Sequence, residues 1–349
     1  MEELKVIDFS AVDEIVDKVS EGGYSFSEYV NMFAQGENSL NYRGITDSVI
    51  DIARNEVLDV KKILTEMLFV VVAAAIFVNL SKIFKSRQVS ESGFYITYML
   101  MFVLMASCFG GLYNTSKETL DMLLSYMQAL VPTFFLTVSY VCGETVSVSF
   151  YQESLMLITL VEAMLVNVFL PLINIYFVFA LVNPLFEESL FSNLLELLEK
   201  TVSWGIRSML ALVVGIGMVQ SMIIPVAGNI RNGMLVKRAE AIPGVGDGVS
   251  SALQTVLGAG AIIKNSVGVA GLIVVVIICV APLIRLLVYS VSFQLGAAVS
   301  QPLAGDKRMS ACMLAAAKSS RLMIMAVGMS ATMFMVSIAI ITIATGKGY

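Results

Sequence analysis

Residues 154–182 read SLMLITLVEAMLVNVFLPLINIYFVFALV. The stretch holds one charge, Glu162, and one proline, Pro171. A helix rises 1.5 Å per residue, so about 20 apolar residues cross roughly 30 Å of hydrocarbon. This run exceeds that length. Working outward, comparable stretches lie at 63–80, 94–113, 118–141, 202–224, 267–290 and 321–345, with a glycine-rich one at 244–264. The pattern predicts an all-α fold: a polytopic helical membrane protein of about eight transmembrane spans.

Composition agrees. Of 349 residues, 57% are hydrophobic and 14% charged, and the mean hydropathy is +0.83. Soluble domains carry about 25% charged residues. The charges here are too few to coat soluble cores, which excludes a soluble enzyme. The chain has no histidine. That removes histidine-based acid/base catalysis, Ser-His-Asp triads, histidine-ligated haem and the common zinc sites. Cys108, Cys142, Cys279 and Cys312 are far apart and form no CxxC, so they read as small packing residues. The scattered methionines read as adaptable packing rather than soft-metal ligands. No cofactor or metal is expected.

The charge divides the chain. Residues 1–62 hold 13 acidic and 6 basic residues, and the remainder holds 14 acidic and 16 basic. The expected domains are an acidic helical head, 1–62, and a helical membrane domain, 63–349, with 63–113 as two leading spans. In the head, Ser10 through Asp13 and Ser25 with Glu28 both look like capping boxes that open short amphipathic helices. Such small helices must pack on the body, on the membrane surface or on a partner. Met1 opens a polar sequence, so no secretory leader is visible.

The prolines suggest an internal repeat. Pro132 precedes Pro171 by 39 residues, and Pro243 precedes Pro282 by 39. A second proline follows each pair, Pro184 and Pro302, before an amphipathic stretch and a further span. Residues 118–224 and 230–345 are thus expected as two copies of one unit, inverted in the membrane, with chance matching as the alternative. Pro171, Pro243, Gly244, Gly246 and Pro282 are the expected helix breaks. The glycines at 244–248 lack the GxxxxGK[ST] pattern and read as a membrane-embedded turn, not a phosphate loop. Residues 184–200 put Glu188, Glu196 and Glu199 on one face and leucines on the other, which predicts a helix lying flat at the interface. With eight spans and the head outside, the inner loops carry ten Lys and Arg and the outer loops four, so the head is expected to be extracytoplasmic.

Within the spans, Glu162, Arg207 and Arg285 are the charges of interest, with Asn167 and Asn174 near Pro171. An intramembrane carboxylate faces protein or water. Two readings stand: an ion pair or proton-handling polar path, or a structural hydrogen bond at Glu162 with the arginines snorkelling from span ends. Neither supplies a catalytic residue.

The run Gly228–Gly248, with Lys237-Arg238-Ala239-Glu240 before Ile242-Pro243-Gly244-Val245-Gly246, then Leu253–Lys264, then Ala281-Pro282-Leu283-Ile284-Arg285, resembles the stage III sporulation protein AE family. The likeness runs from about residue 25 to the end. It implies a multi-pass protein of the mother-cell membrane around the forespore, in a secretion-like complex that joins the two cells. It also implies partners: an ATPase, small membrane subunits and ring-forming proteins. The family brings no catalytic residues. The expected function is therefore a non-enzymatic membrane subunit of a multi-protein channel required for endospore formation. Its partners are the lipid bilayer and other complex subunits, not nucleic acid. A self-sufficient secondary transporter is the alternative, favoured by the apparent repeat, Pro171 and Glu162. An intramembrane enzyme is disfavoured by the missing histidine and missing paired aspartates.

Overall fold

A computed structural model describes residues 8–19, 24–35, 42–84, 87–142, 144–186, 190–240, 246–304 and 307–344. Among them every regular element is helical: α1 (Ser10–Val19), α2 (Phe26–Ala34), α3 (Tyr42–Phe84), α4 (Arg87–Cys142), α5 (Glu144–Met164), α6 (Leu170–Val182), α7 (Ser192–Glu240), α8 (Gly246–Ala304) and α9 (Lys307–Ala344). Among the described residues five segments are long and apolar enough to cross a membrane: Ser92–Phe135, Leu155–Leu185, Ser192–Val219, Ala261–Leu303 and Lys307–Ile340.

The head forms as the capping logic requires at α2. The Ser25 hydroxyl accepts from the Glu28 amide, and the Glu28 carboxylate accepts from the Ser25 amide. At α1 the cap is different. The Asp8 carboxylate accepts from the Ser10 amide at 2.9 Å, so Ser10 is already helical. Hydrogen bonds from Ser10, its hydroxyl first and then its amide, hold the Asp8 carboxyl below the usual carboxylate range. Asp13 accepts from the Ser27 amide and ties α1 to α2. Val12, Phe26 and Val30 are fully buried, with α2 packed on α8 and α1 on α4. The body therefore covers the head's apolar faces. The head-to-body boundary at residue 62 falls inside α3, which runs on without a break.

Several stretches expected to be separate are collinear. The 94–113 and 118–141 spans share α4, and 246–264 and 267–290 share α8. Polar residues between them read as turns in the sequence, yet an α-helix tolerates them wherever their side chains leave the core. Pro282 stands inside α8 and does not end it. Proline removes one donor from the ladder, and packing neighbours hold the remaining turns in place. Gly246 opens α8, while Pro243 and Gly244 lie outside the described residues. In the first expected repeat unit the leading segments fall on two helices, α4 and α5; in the second, residues 246–290 lie on α8. The 184–200 stretch is not one separate helix. A short 3-10 turn, Asn183–Leu185, leads to α7, and Glu196 and Glu199 occupy the opening turns of that long helix. Asn183 anchors the turn, accepting from the Phe191 amide at 2.9 Å. Glu188 lies outside the described residues. The charge count for orientation also loses some of its loops, because Lys117, Lys264 and Lys318 sit within helices.

Polar side chains set the register between helices. α8 and α9 share the most extensive interface and run antiparallel. Arg321 donates to the Gln294 side-chain oxygen at 2.7 Å, Ser290 to the Ala317 carbonyl at 3.3 Å, and Lys264 to the Thr342 carbonyl at 2.9 Å. Tyr98 donates to the Leu181 carbonyl at 2.6 Å, and the Phe109 and Phe177 rings stack at 3.8 Å, so α4 runs antiparallel to α6. Tyr126 donates to the Gly271 carbonyl and joins α4 to α8. Gly205 lets α7 approach α6 closely: a methyl there would sit 2.6 Å from two ring carbons of Phe169.

Candidate functional site

A fully buried carboxyl lies where α5 gives way to α6. The five residues Leu165–Phe169 form one π-turn, and Pro171 falls in the first turn of α6. Proline has no amide hydrogen, so the Asn167 carbonyl loses its ordinary donor, and the ladder widens rather than stopping. The Asn167 side chain donates to the Ala163 carbonyl at 2.9 Å, which satisfies one group of the disturbed turn. Single π-turns in α-helices often mark functional sites.

Glu162 lies just before this turn, on the last turn of α5, and is fully buried. Its Oε1 accepts a hydrogen bond from the hydroxyl of Ser330 on α9, which is also fully buried. Oε2 is buried and makes no hydrogen bond among the described residues. A buried carboxyl with one satisfied oxygen is costly to hold, which makes Glu162 a functional candidate as well as a link between α5 and α9.

The other candidates do not gather around it. Among the described residues no ion pair joins Glu162 to Arg207 or Arg285. Arg207 is exposed on α7, Arg285 is half-buried on α8, and Asn174 is exposed on α6. Glu196 pairs with Lys200 on the surface of α7. Glu199 instead receives Lys318 of α9 at 3.3 Å and the Tyr176 hydroxyl of α6 at 3.4 Å. That cluster ties three helices at one level. Sequence reasoning named Glu199 but had no signal that it meets Lys318. It missed Ser330, because a lone serine in an apolar helix has no distinguishing pattern. It also missed Lys264, which is fully buried and reaches a backbone carbonyl 78 residues away.

Apolar spans, interhelical polar clamps and a buried carboxyl define the chain as a polytopic α-helical membrane protein. The family model for stage III sporulation protein AE matches residues 24–345, so the chain belongs to that family. The stage III sporulation protein AE of Bacillus subtilis (strain 168) is 24% identical over 323 residues, covering 91% of this chain and 78% of that protein. No solved structure matches the chain. Family membership places the chain's role in sporulation.

Proposed function

We propose that this protein is a non-enzymatic membrane subunit of a multi-protein, secretion-like channel between mother cell and forespore. It sits in the mother-cell membrane around the forespore with its head on the extracytoplasmic side. The observation that carries the reading is family membership over nearly the whole chain, residues 24–345. The placement of polar groups supports it. Tyr98, Tyr126, Lys264, Ser290 and Lys318 each tie one helix to another. Polar chemistry spent on register suits a scaffold that partners assemble around.

The test is affinity purification of the full chain from sporulating cells in mild detergent, with identification of what accompanies it. Recovery of an ATPase and ring-forming membrane proteins supports the reading. A monodisperse chain without partners overturns it. The alternative, a self-sufficient secondary transporter, draws on buried Glu162 beside the π-turn. Solute uptake by the purified chain alone in liposomes would favour that alternative.

A further inference from the structure

Glu162 brings a carboxyl into the protein interior with little to hold a negative charge there. The side chain is fully buried, as is Ser330, whose hydroxyl is the hydrogen-bond partner of Oε1. Oε2 is buried and has no partner among the described residues. An ionised carboxyl offers about four lone-pair positions over its two oxygens. Buried carboxylates that stay ionised are matched by a cation or by several donors. Here one hydroxyl is the whole complement among the described residues.

The helices around it do not supply the missing positive charge. From α4, Asp121 faces Glu162 electrostatically, and from α8, Cys279 does. Lys117 and Glu118, one turn before Asp121, are exposed and of opposite sign. From α9 the contact is Ser330, and residues 322–344 of that helix hold no titratable side chain. α7 also packs on α5, and its Arg207 is exposed. Neither Arg207 nor Arg285 of α8 pairs with Glu162 among the described residues. Nor do three His, Cys, Asp or Glu side chains gather there to hold a metal ion. An anion at Glu162 would face a second carboxylate and no cation.

We infer that Glu162 and Ser330 form a proton-binding site: the carboxyl holds a proton at neutral pH and exchanges it through Asp121. The step is one carboxylic acid giving a carboxylate and a proton, with no other bond made or broken. The Ser330 contact serves both states, because a hydroxyl can donate to a carboxylate or accept from an acid. In the neutral acid Oε2 is an uncharged oxygen, which costs far less to leave unmatched than an anionic one. Asp121 is exposed, so a proton leaving Glu162 meets a carboxylate acceptor with access to water.

The site touches the backbone as well. The π-turn Leu165–Phe169 and Pro171 follow Glu162 directly. An ionised Glu162 demands donors that the closed packing lacks, so it must admit water or draw α5 away from α9. The segment that has to yield is the one whose hydrogen-bond ladder is least regular. The site stands apart from the assembly: it holds for a subunit of a larger complex and for a chain that works alone.

The test uses the purified full chain in detergent across a pH series. Infrared spectra read the C=O stretch of neutral carboxyl groups, which ionised acids lack. A band should remain at neutral pH, be missing from Glu162→Gln, and fade as the pH rises further. No band at neutral pH overturns the site, and so does a band that survives Glu162→Gln. Asp121→Asn should move the fading to lower pH, because a nearby like charge favours the neutral acid. An unmoved transition overturns the role of Asp121. Loss of the band when sodium chloride replaces potassium chloride at neutral pH would assign the site to sodium and overturn the proton. Denaturant unfolding gives a second readout. An unfolded glutamate ionises at about pH 4.3. Between there and neutrality the folded chain should hold one proton more than the unfolded chain. The wild-type folding constant should therefore fall about tenfold per pH unit relative to Glu162→Gln, or to Glu162→Leu if the glutamine variant does not fold. Parallel pH dependence of wild type and variant overturns the site.

Discussion

Ser330→Ala tests a fully buried polar contact between α5 and α9. The serine hydroxyl is the hydrogen-bond partner of Glu162 Oε1, both side chains are fully buried, and Oε2 makes no hydrogen bond among the described residues. Removing the hydroxyl leaves a buried carboxyl with neither oxygen satisfied by these residues. Stranding a buried polar group costs about 1–3 kcal/mol, and more when it is charged. Removing both partners is a different matter, since matched apolar replacements can be nearly neutral. The expected cycle is therefore asymmetric. Ser330→Ala should destabilise the protein by about 2 kcal/mol, whereas the same change in a Glu162→Leu background should cost well under 1 kcal/mol. The assay is denaturant unfolding in detergent, followed by circular dichroism, for the wild type, both single variants and the double. Equal costs for Ser330→Ala in both backgrounds would refute the coupling. Glu162 would then be held by something other than α9.

Other predictions address separate parts of the fold. Gly205→Ala pushes a methyl to within 2.6 Å of the Phe169 ring. It should cost about 1–3 kcal/mol in the same unfolding assay and be partly rescued by Phe169→Leu. Ser25→Ala removes the hydroxyl half of the α2 capping box. It should cost about 1 kcal/mol, seen as faster amide exchange confined to α1 and α2. Lys318→Met breaks a pair in which each side chain is more than two-fifths exposed. The loss of stability should stay below about 1 kcal/mol, because solvent screens the pair.

Much of the architecture was legible because hydrocarbon imposes a length. Residues 154–182 announce a span, and Glu162 announces itself as its single charge. The capping box at Ser25 and Glu28 was legible because two orphan amides require those residue types at that spacing. What the sequence hid was the meaning of polar interruptions. Residues 114–117 and Lys264 read as turns between spans, but they lie within α4 and α8. A turn and a helix with polar outward groups look alike until the partners of those groups are known. For Lys264 the partner is a carbonyl on another helix, and no local pattern encodes that contact. The proline spacing is hard to read for a related reason. A proline weakens a helix only as far as its neighbours let it, and α8 carries both Pro282 and Pro302 without ending.

The π-turn at 165–169 has a genetic consequence. Such a turn is an α-helix with one surplus residue, so a single-codon deletion within it would restore an unbroken α-helix. Each residue contributes about 100° of rotation. The deletion would leave Tyr176 facing Glu199 only if Glu162 swung about 100° away from Ser330, or the reverse. One extra residue lets the two ends of this span satisfy different neighbours, and losing it should be more damaging than most point substitutions in the segment.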